Sequence, residues 1–403
     1  MQDYFRIPLI FFVVSGGIGL LLRWHFVQPM EWINYPYWLH AHSHMMFLGW
    51  VSNALYLGFI NSFVPEKWRP RYRWLFIGIQ VLLAGMLVSF PLQGYGLFSI
   101  LFATVHTLLL ALFCFWYFSD VRAKAPSVAL WYSKISLVFF LISALGPFAI
   151  AATSAAGLGQ SNWYYFSVYY YLHFQYNGFF SFGVLALFFR ILEQKGIPFS
   201  QEDARVAGWF LALACVPAYF LSTLWADPGT LFNAAGFVAG FLQVIFLLFI
   251  IRLLKTAFAA ISLHFSTSSV RTLLVATGAL TIKILLQLLS AHEGIARMAY
   301  MNRSYVMAYL HLVLIGFVSL LLIVWYMETF LLKRLSTPAI ILLVGGLAGM
   351  EIALVLAPSW SQSGIGNVAD PQVTLFFFPV VLWSGILLLL LSFRKPDKTP
   401  GDL

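Results

Sequence analysis

The sequence predicts an all-α integral membrane protein of twelve transmembrane helices. Three observations carry that prediction: the scarcity of charge, the length of the apolar runs and the alternation of basic residues between them. Only 9% of the 403 residues are charged and 61% are hydrophobic, whereas a soluble domain carries about 25% charge. No water-exposed surface of ordinary size can be built from such a chain. Aromatic residues reach 18%, with Phe far ahead of the others, which suits long apolar helices ending in belts of Trp and Tyr. The short alternating strands of a membrane barrel are absent.

A span needs about 20 apolar residues. Runs of that kind fall at about 7–23, 39–63, 75–93, 97–118, 130–153, 165–190, 206–225, 230–252, 271–291, 304–330, 337–357 and 373–393. Turn-forming stretches such as Gln93-Gly94-Tyr95-Gly96 and Asp227-Pro228-Gly229 separate them. The first run follows a short head with one arginine and lacks a small-residue cleavage site, so it is read as a retained helix.

The formal net charge is +9, but the basic residues sit in short connections rather than in a patch, which marks topology and not a nucleic-acid partner. The even-numbered connections hold Lys67, Arg69, Arg71 and Arg73, then Arg122 and Lys124, then Arg190, Lys195 and Arg205, then Arg252, Lys255 and Arg271, then Lys333 and Arg334, and finally Arg394, Lys395 and Lys398. The odd-numbered connections hold only Arg23, Arg297 and Arg303. Both termini are therefore expected in the cytoplasm. Cys114 and Cys215 both lie within apolar runs, which leaves neither a disulfide framework nor a covalent heme-attachment motif.

One internal repeat stands out. His44-Met45-Met46-Phe47-Leu48-Gly49-Trp50, His173-Phe174-Gln175-Tyr176-Asn177-Gly178-Phe179 and His311-Leu312-Val313-Leu314-Ile315-Gly316-Phe317 each read His, four residues, Gly, aromatic. They fall in the second, sixth and tenth expected helices. The spacing suggests a single transmembrane domain over 1–403 made of three pseudo-symmetric four-helix arcs, at about 1–125, 126–258 and 259–403.

In that topology His44, His106, His173 and His311 share one depth in the outer half of the membrane. His40 and His42 lie slightly above them. Intramembrane ionisable groups are costly and mark function by default, and neutral imidazole is a common ligand for heme iron, copper and zinc. At 100° per residue, His40 and His44 share a helix face while His42 points nearly the opposite way. The plain alternative is that these imidazoles hydrogen-bond to neighbouring helices. Lys283 lies about 18 Å from the cytoplasmic end of its helix, too deep to snorkel fully; it suits a proton path, or pairing with a carbonyl or a buried acid. The tyrosines at 164–165 and 169–171 read as an interfacial belt. Arg297 and Arg303 either clamp the propionates of a heme or are ordinary loop arginines.

Together these features resemble subunit I of the heme-copper oxidase and nitric oxide reductase superfamily: twelve helices, both termini inside, three arcs and histidines toward the outer face. The segment Tyr305-Val306-Met307-Ala308-Tyr309-Leu310-His311-Leu312-Val313-Leu314 is similar to that family's YVxAHxHxVL pattern. The resemblance implies a low-spin heme, of b type, held by His311 and by His44 or a near neighbour. It also implies a second heme or copper, for which His40, His42, His106 and His173 are the metal candidates. Two departures matter: Tyr309 replaces the family's high-spin heme ligand, and 206–225 contains no histidine where the family has an adjacent pair. The usual dinuclear centre therefore looks incomplete, and catalysis as an oxidoreductase is left open. His40-Ala41-His42-Ser43-His44-Met45 partly resembles the HxHEM-type motif of the NnrS membrane proteins, with Ser43-His44 where that motif has its acid.

The resemblance implies electron transfer, or nitric oxide or oxygen handling, in a bacterial inner (plasma) membrane. The expected partners are membrane lipid, a cytochrome or quinol donor and further subunits. A polytopic secondary transporter is the alternative from another class, and a cofactor-free assembly or sensor subunit is the third.

Overall fold

The computed structural model describes residues 2–159, 161–227, 229–329, 336–360 and 370–393, and every regular element among them is a helix. We number them α1 (Arg6–Val27), α2 (35–63), α3 (Arg69–Gln93), α4 (Leu97–Asp120), α5 (Val128–Ala155), α6 (162–194), α7 (Gln201–Ala218), α8 (Thr230–His264), α9 (Thr267–Leu289), α10 (Glu293–Met301), α11 (Arg303–Glu328), α12 (Ser336–Leu356) and α13 (Pro371–Ser392). A helix stands at each expected apolar run. Among the described residues ten are long and apolar enough to cross a membrane. The two long helices outside that set, α2 and α6, carry the polar groups discussed below. Pro228 of one turn-forming stretch, and the basic residues Lys333, Arg334, Arg394, Lys395 and Lys398 of the last two even-numbered connections, lie outside the described residues.

Many large apolar side chains face outward, among them Val81, Val88, Leu92, Leu97, Leu108 and Phe115 on α3 and α4. Water does not tolerate so continuous an apolar exterior; lipid does. The chain is a multi-pass, all-helical membrane protein.

The chain divides into two compact units, Met1–Ala123 with Leu322–Leu403, and Lys124–Leu321. In the first, α1 buries the stripe Leu9, Phe12, Ser15, Ile18 and Leu22, spaced for one helix face. Trp383 of α13 lies over Gly16 and donates its indole N–H to the Val13 carbonyl at 2.9 Å. Gly346 and Gly385 let the backbones of α12 and α13 approach so closely that a Cβ on either would strike the partner's main chain, the small-residue contact common between helices in lipid. At the basic end, Arg71 pairs with Asp120, which also accepts from the Tyr72 hydroxyl at 2.7 Å.

In the second unit, Ser127, Ser200 and Ser266 cap the N-termini of α5, α7 and α9, each accepting a main-chain N–H at 3.1 Å. Two features exceed the sequence expectation. Helix α8 runs past 252 to His264, because its Leu-, Lys- and Ala-rich continuation favours helix beyond the apolar run, so Arg252 and Lys255 lie on a helix and not in a loop. The expected loop around Arg297 is instead the short α10, whose N-terminus is capped by His292 accepting from the Gly294 N–H at 3.2 Å.

The most distinctive elements are α2, α6 and α11. From Met45 to Ile60, from His173 to Phe189 and from Val313 to Glu328 every residue is buried; a helix apolar on all sides is one surrounded by others. Each of the three widens into a π-helix, at Met45–Ser52, Phe174–Phe180 and Leu312–Ser319. In each case the residue just before the widened turns is the repeated histidine: His44, His173 and His311. A serine eight positions after each histidine closes the turns. Ser52 donates to the Phe47 carbonyl at 2.9 Å, Ser181 to Tyr176 at 2.7 Å and Ser319 to Leu314 at 2.7 Å. Gly49 and Gly178 sit beneath aromatic rings of the preceding helices: a Cβ would stand 2.7 Å from Phe11 and 2.6 Å from Phe139.

Candidate functional site

The π-helix is rare and concentrates at functional sites, so the histidines that open the three π segments locate the candidate site. In the first unit, α2 presents His40, His42 and His44 within two turns. His40 and His44 share one face. The His44 ring lies 4.3 Å from the Phe90 ring, centroid to centroid, and the His40 ring 4.4 Å from Tyr95. Phe90 and Tyr95 come from the end of α3 and the turn after it, and pack edge to face on each other at 5.4 Å. Gly94 at φ +58 reverses the chain there, and its missing Cβ leaves room for the Tyr37 ring.

Main-chain bonds orient these imidazoles. His44 Nδ1 lies 2.9 Å from the His40 carbonyl. A carbonyl only accepts, so Nδ1 carries the proton and Nε2 presents its lone pair. His42 points to α1, where its Nδ1 donates to the Ser15 carbonyl at 2.8 Å while the Ser15 hydroxyl returns a bond to the His42 carbonyl at 3.0 Å. Metal-bound histidines show this arrangement: one nitrogen fixed by a backbone carbonyl, the other free to coordinate. A further histidine of the first unit is His106 of α4. It is 1% exposed, lies within electrostatic reach of His44, and has no hydrogen-bond partner at either ring nitrogen.

In the second unit His173 is arranged differently. Its Nε2–H donates to the Cys215 carbonyl at 2.8 Å, and its Nδ1 accepts from the Asn177 amide at 3.1 Å. The Cys215 carbonyl is available because α7 tightens after Pro217, where the Tyr219 N–H bonds to Val216 and Pro217 in place of Cys215. Both nitrogens of His173 are thus engaged by protein. Lys283 is 2% exposed on α9 and donates to the side-chain carbonyl of Gln243 on α8 at 2.9 Å. The Gln243 amide nitrogen and the Gln287 side-chain oxygen, both buried, have no partner. His311 closes the regular part of α11 before its π segment, and Tyr309 packs on Tyr176 at 6.3 Å. Arg297 and Arg303 are exposed, on α10 and at the first turn of α11.

The first unit therefore brings together His40, His44 and His106, with His42 on the reverse face of α2, and the second holds His173 and Lys283 near one another with His311 on α11. Among the described residues no three His, Cys, Asp or Glu side chains converge as a metal-ion site, whereas a heme needs only one or two protein ligands. The residues missed from sequence are Ser52, Ser181 and Ser319. Their signal was present, since the repeat extends to His, four residues, Gly, aromatic, any residue, Ser in all three copies. No protein-family model matches the chain, and no curated protein sequence matches it.

Proposed function

We propose that this protein is a heme-binding membrane protein that transfers electrons or handles nitric oxide or oxygen, with His44 as an iron ligand. The observation that carries the reading is the His44–His40 bond, which holds a neutral imidazole in one tautomer with Nε2 offered to a partner. Bound heme would supply one-electron chemistry in an apolar setting. The protein's part is to hold the iron through imidazole, to exclude water with Phe90 and Tyr95, and to keep the His44 ring from rotating. The repeated motif nominates His311 as a further ligand, and Arg297 and Arg303 as partners for the propionates.

The reading extends to twelve spans in three consecutive four-helix repeats, termini on the cytoplasmic side, in a bacterial plasma membrane. It draws support from the basic-residue alternation and from the threefold His–π–Ser element. A cytochrome or quinol is the class of donor it calls for. The transporter alternative is favoured by one observation, the buried Lys283–Gln243 pair, which is the kind of polar group a membrane carrier places in its interior.

The test is a reduced-minus-oxidised optical spectrum of the purified protein, with and without carbon monoxide or nitric oxide, for wild type, His44→Ala and His311→Ala. Sharp α-band absorption in wild type that His44→Ala abolishes supports the reading. A protein purified intact without heme absorption moves it to the transporter or the cofactor-free subunit.

A further inference from the structure

We propose that the basic end of the first unit binds the headgroup of an anionic phospholipid, with Lys67, Arg69 and Arg73 as the cations that meet its phosphate. Heme has no bearing on this site, because His44 lies about 30 Å away along α2, at 1.5 Å per residue.

Four bases in seven residues, Lys67, Arg69, Arg71 and Arg73, stand where the chain turns from α2 into α3. Their surroundings divide them. Arg71 is engaged within the protein: it pairs with Asp120, and its guanidinium carbon lies 4.8 Å from the Trp68 ring centroid and 4.9 Å from that of Trp116. The Asp120 side chain is 5% exposed, so this pair sits below the surface and holds Trp68 in place. The other three bases face outward. Arg69 donates to the Asn61 carbonyl at 3.4 Å and to Glu66 at 3.3 Å, but the Glu66 side chain is 87% exposed, and a solvated pair of that kind holds weakly. Arg73 donates its Nε–H to the Tyr4 hydroxyl at 2.9 Å, which leaves four N–H groups for an outside acceptor. Arg69 and Arg73, four residues apart, share one face of α3. Neither Lys67 nor Arg73 pairs with an acid among the described residues.

The depth of these bases follows from α3. Trp74, Val81 and Val88 are all exposed, Trp74 at 71%, and their spacing of seven makes one outward stripe. The valines face hydrocarbon, and tryptophan concentrates where hydrocarbon meets headgroups. The bases at 67–73 therefore stand at headgroup level, beside Trp68 and Trp74. Guanidinium and ammonium groups at that level recognise lipid phosphate. A zwitterionic headgroup would bring its own cation to this site. The aromatic surface on which such a cation would rest is already taken, since the Lys67 ammonium lies 5.2 Å from the Trp68 ring centroid and Arg71 packs on the same ring. The site thus selects net negative charge.

The experiment uses the full chain, purified and delipidated in detergent, and measures retention of the first bound lipid by native mass spectrometry. Phosphatidylglycerol and phosphatidylcholine with identical acyl chains are the probes. Wild type should hold phosphatidylglycerol more tightly than phosphatidylcholine. The double variant Lys67→Gln with Arg73→Gln should weaken phosphatidylglycerol about thirtyfold, as loss of two bases at an anionic surface implies, and leave phosphatidylcholine unchanged. Lys67→Arg with Arg73→Lys keeps the charge and should keep the affinity, which separates charge from any effect on folding. Lys255→Gln with Arg271→Gln, at exposed bases of the second unit, should change nothing. Equal retention of the two lipids in wild type overturns the proposal. Equal losses in the two glutamine double variants also overturn it, because the attraction would then belong to the whole basic face. Displacement of phosphatidylglycerol by inorganic phosphate overturns it as well, and makes the ligand a soluble anion.

Discussion

The ring of His44 is tied to the backbone of its own helix one turn earlier, Nδ1 donating to the His40 carbonyl at 2.9 Å. A bond to the main chain survives substitution of the residue that supplies it. His40→Ala should therefore keep the His44 tautomer and the low-spin heme spectrum, whereas His44→Gly should lose both, with partial recovery on adding imidazole. Equal loss in the two variants would make the His40 side chain a ligand and not a bystander.

The three π-segment serines make equivalent bonds. Ser52→Ala, Ser181→Ala and Ser319→Ala should each destabilise the protein by about 1 kcal/mol, the usual net value of one hydrogen bond and near the range seen in membranes. Unfolding in mixed micelles measures this. One variant differing from the other two by several-fold would argue against the equivalence of the three repeats.

Gly178 lies under the Phe139 ring, with 2.6 Å available where a Cβ would sit. Gly178→Ala should overpack this contact and cost about 1–3 kcal/mol. Combining it with Phe139→Leu should recover part of that loss, since residues in contact couple in double-mutant cycles. Simple additivity would mean that the helices move apart and the ring is not the obstacle.

His173 serves its neighbours through both nitrogens. His173→Leu should leave the Asn177 amide and the Cys215 carbonyl unmet, with a loss of about 1–3 kcal/mol and an unchanged optical spectrum. A spectrum altered in band position would instead assign His173 to the cofactor.

Lys283 and Gln243 form a buried polar pair at 2.9 Å. Lys283→Met alone strands the Gln243 carbonyl and should destabilise the protein by about 1–3 kcal/mol. The double variant Lys283→Met with Gln243→Leu should be close to neutral or stabilising, since a buried polar pair replaced by apolar groups of similar size often is. If the double variant instead abolishes a proton-coupled or transport activity while folding well, the pair is functional.

Much of the architecture was legible in the sequence. Each of the twelve apolar runs is helical over its described residues, because apolar surroundings leave the backbone no water with which to satisfy its hydrogen bonds. The His-Gly-aromatic repeat was legible as well, and the role of the serine that follows each copy became plain only in the backbone it bonds to. The π widening was not foreseeable from composition, because the residues of 45–52 are as apolar as any regular span. It is visible only in the backbone. The lengthened α8 and the added α10 lie outside the apolar pattern for a different reason: hydropathy reports where a chain meets lipid, and helices continue past it wherever local propensity and a cap allow.

For the candidate site the division is sharper. Sequence alone established that histidines gather on α2, that His40 and His44 share a face, and that Lys283 is deeply placed, since these follow from helical period and rise. Two histidines that look alike in sequence, His106 and His173, were separated only by tertiary structure. His173 meets the carbonyl of Cys215, freed by the turn after Pro217, and the amide of Asn177; His106 meets nothing that bonds to it. The carbonyl that satisfies one imidazole comes from a helix distant in sequence, and its availability depends on how that helix ends. No local pattern around residue 106 or residue 173 carries that information, because hydrogen-bond satisfaction in an apolar interior is a property of neighbours brought together by packing.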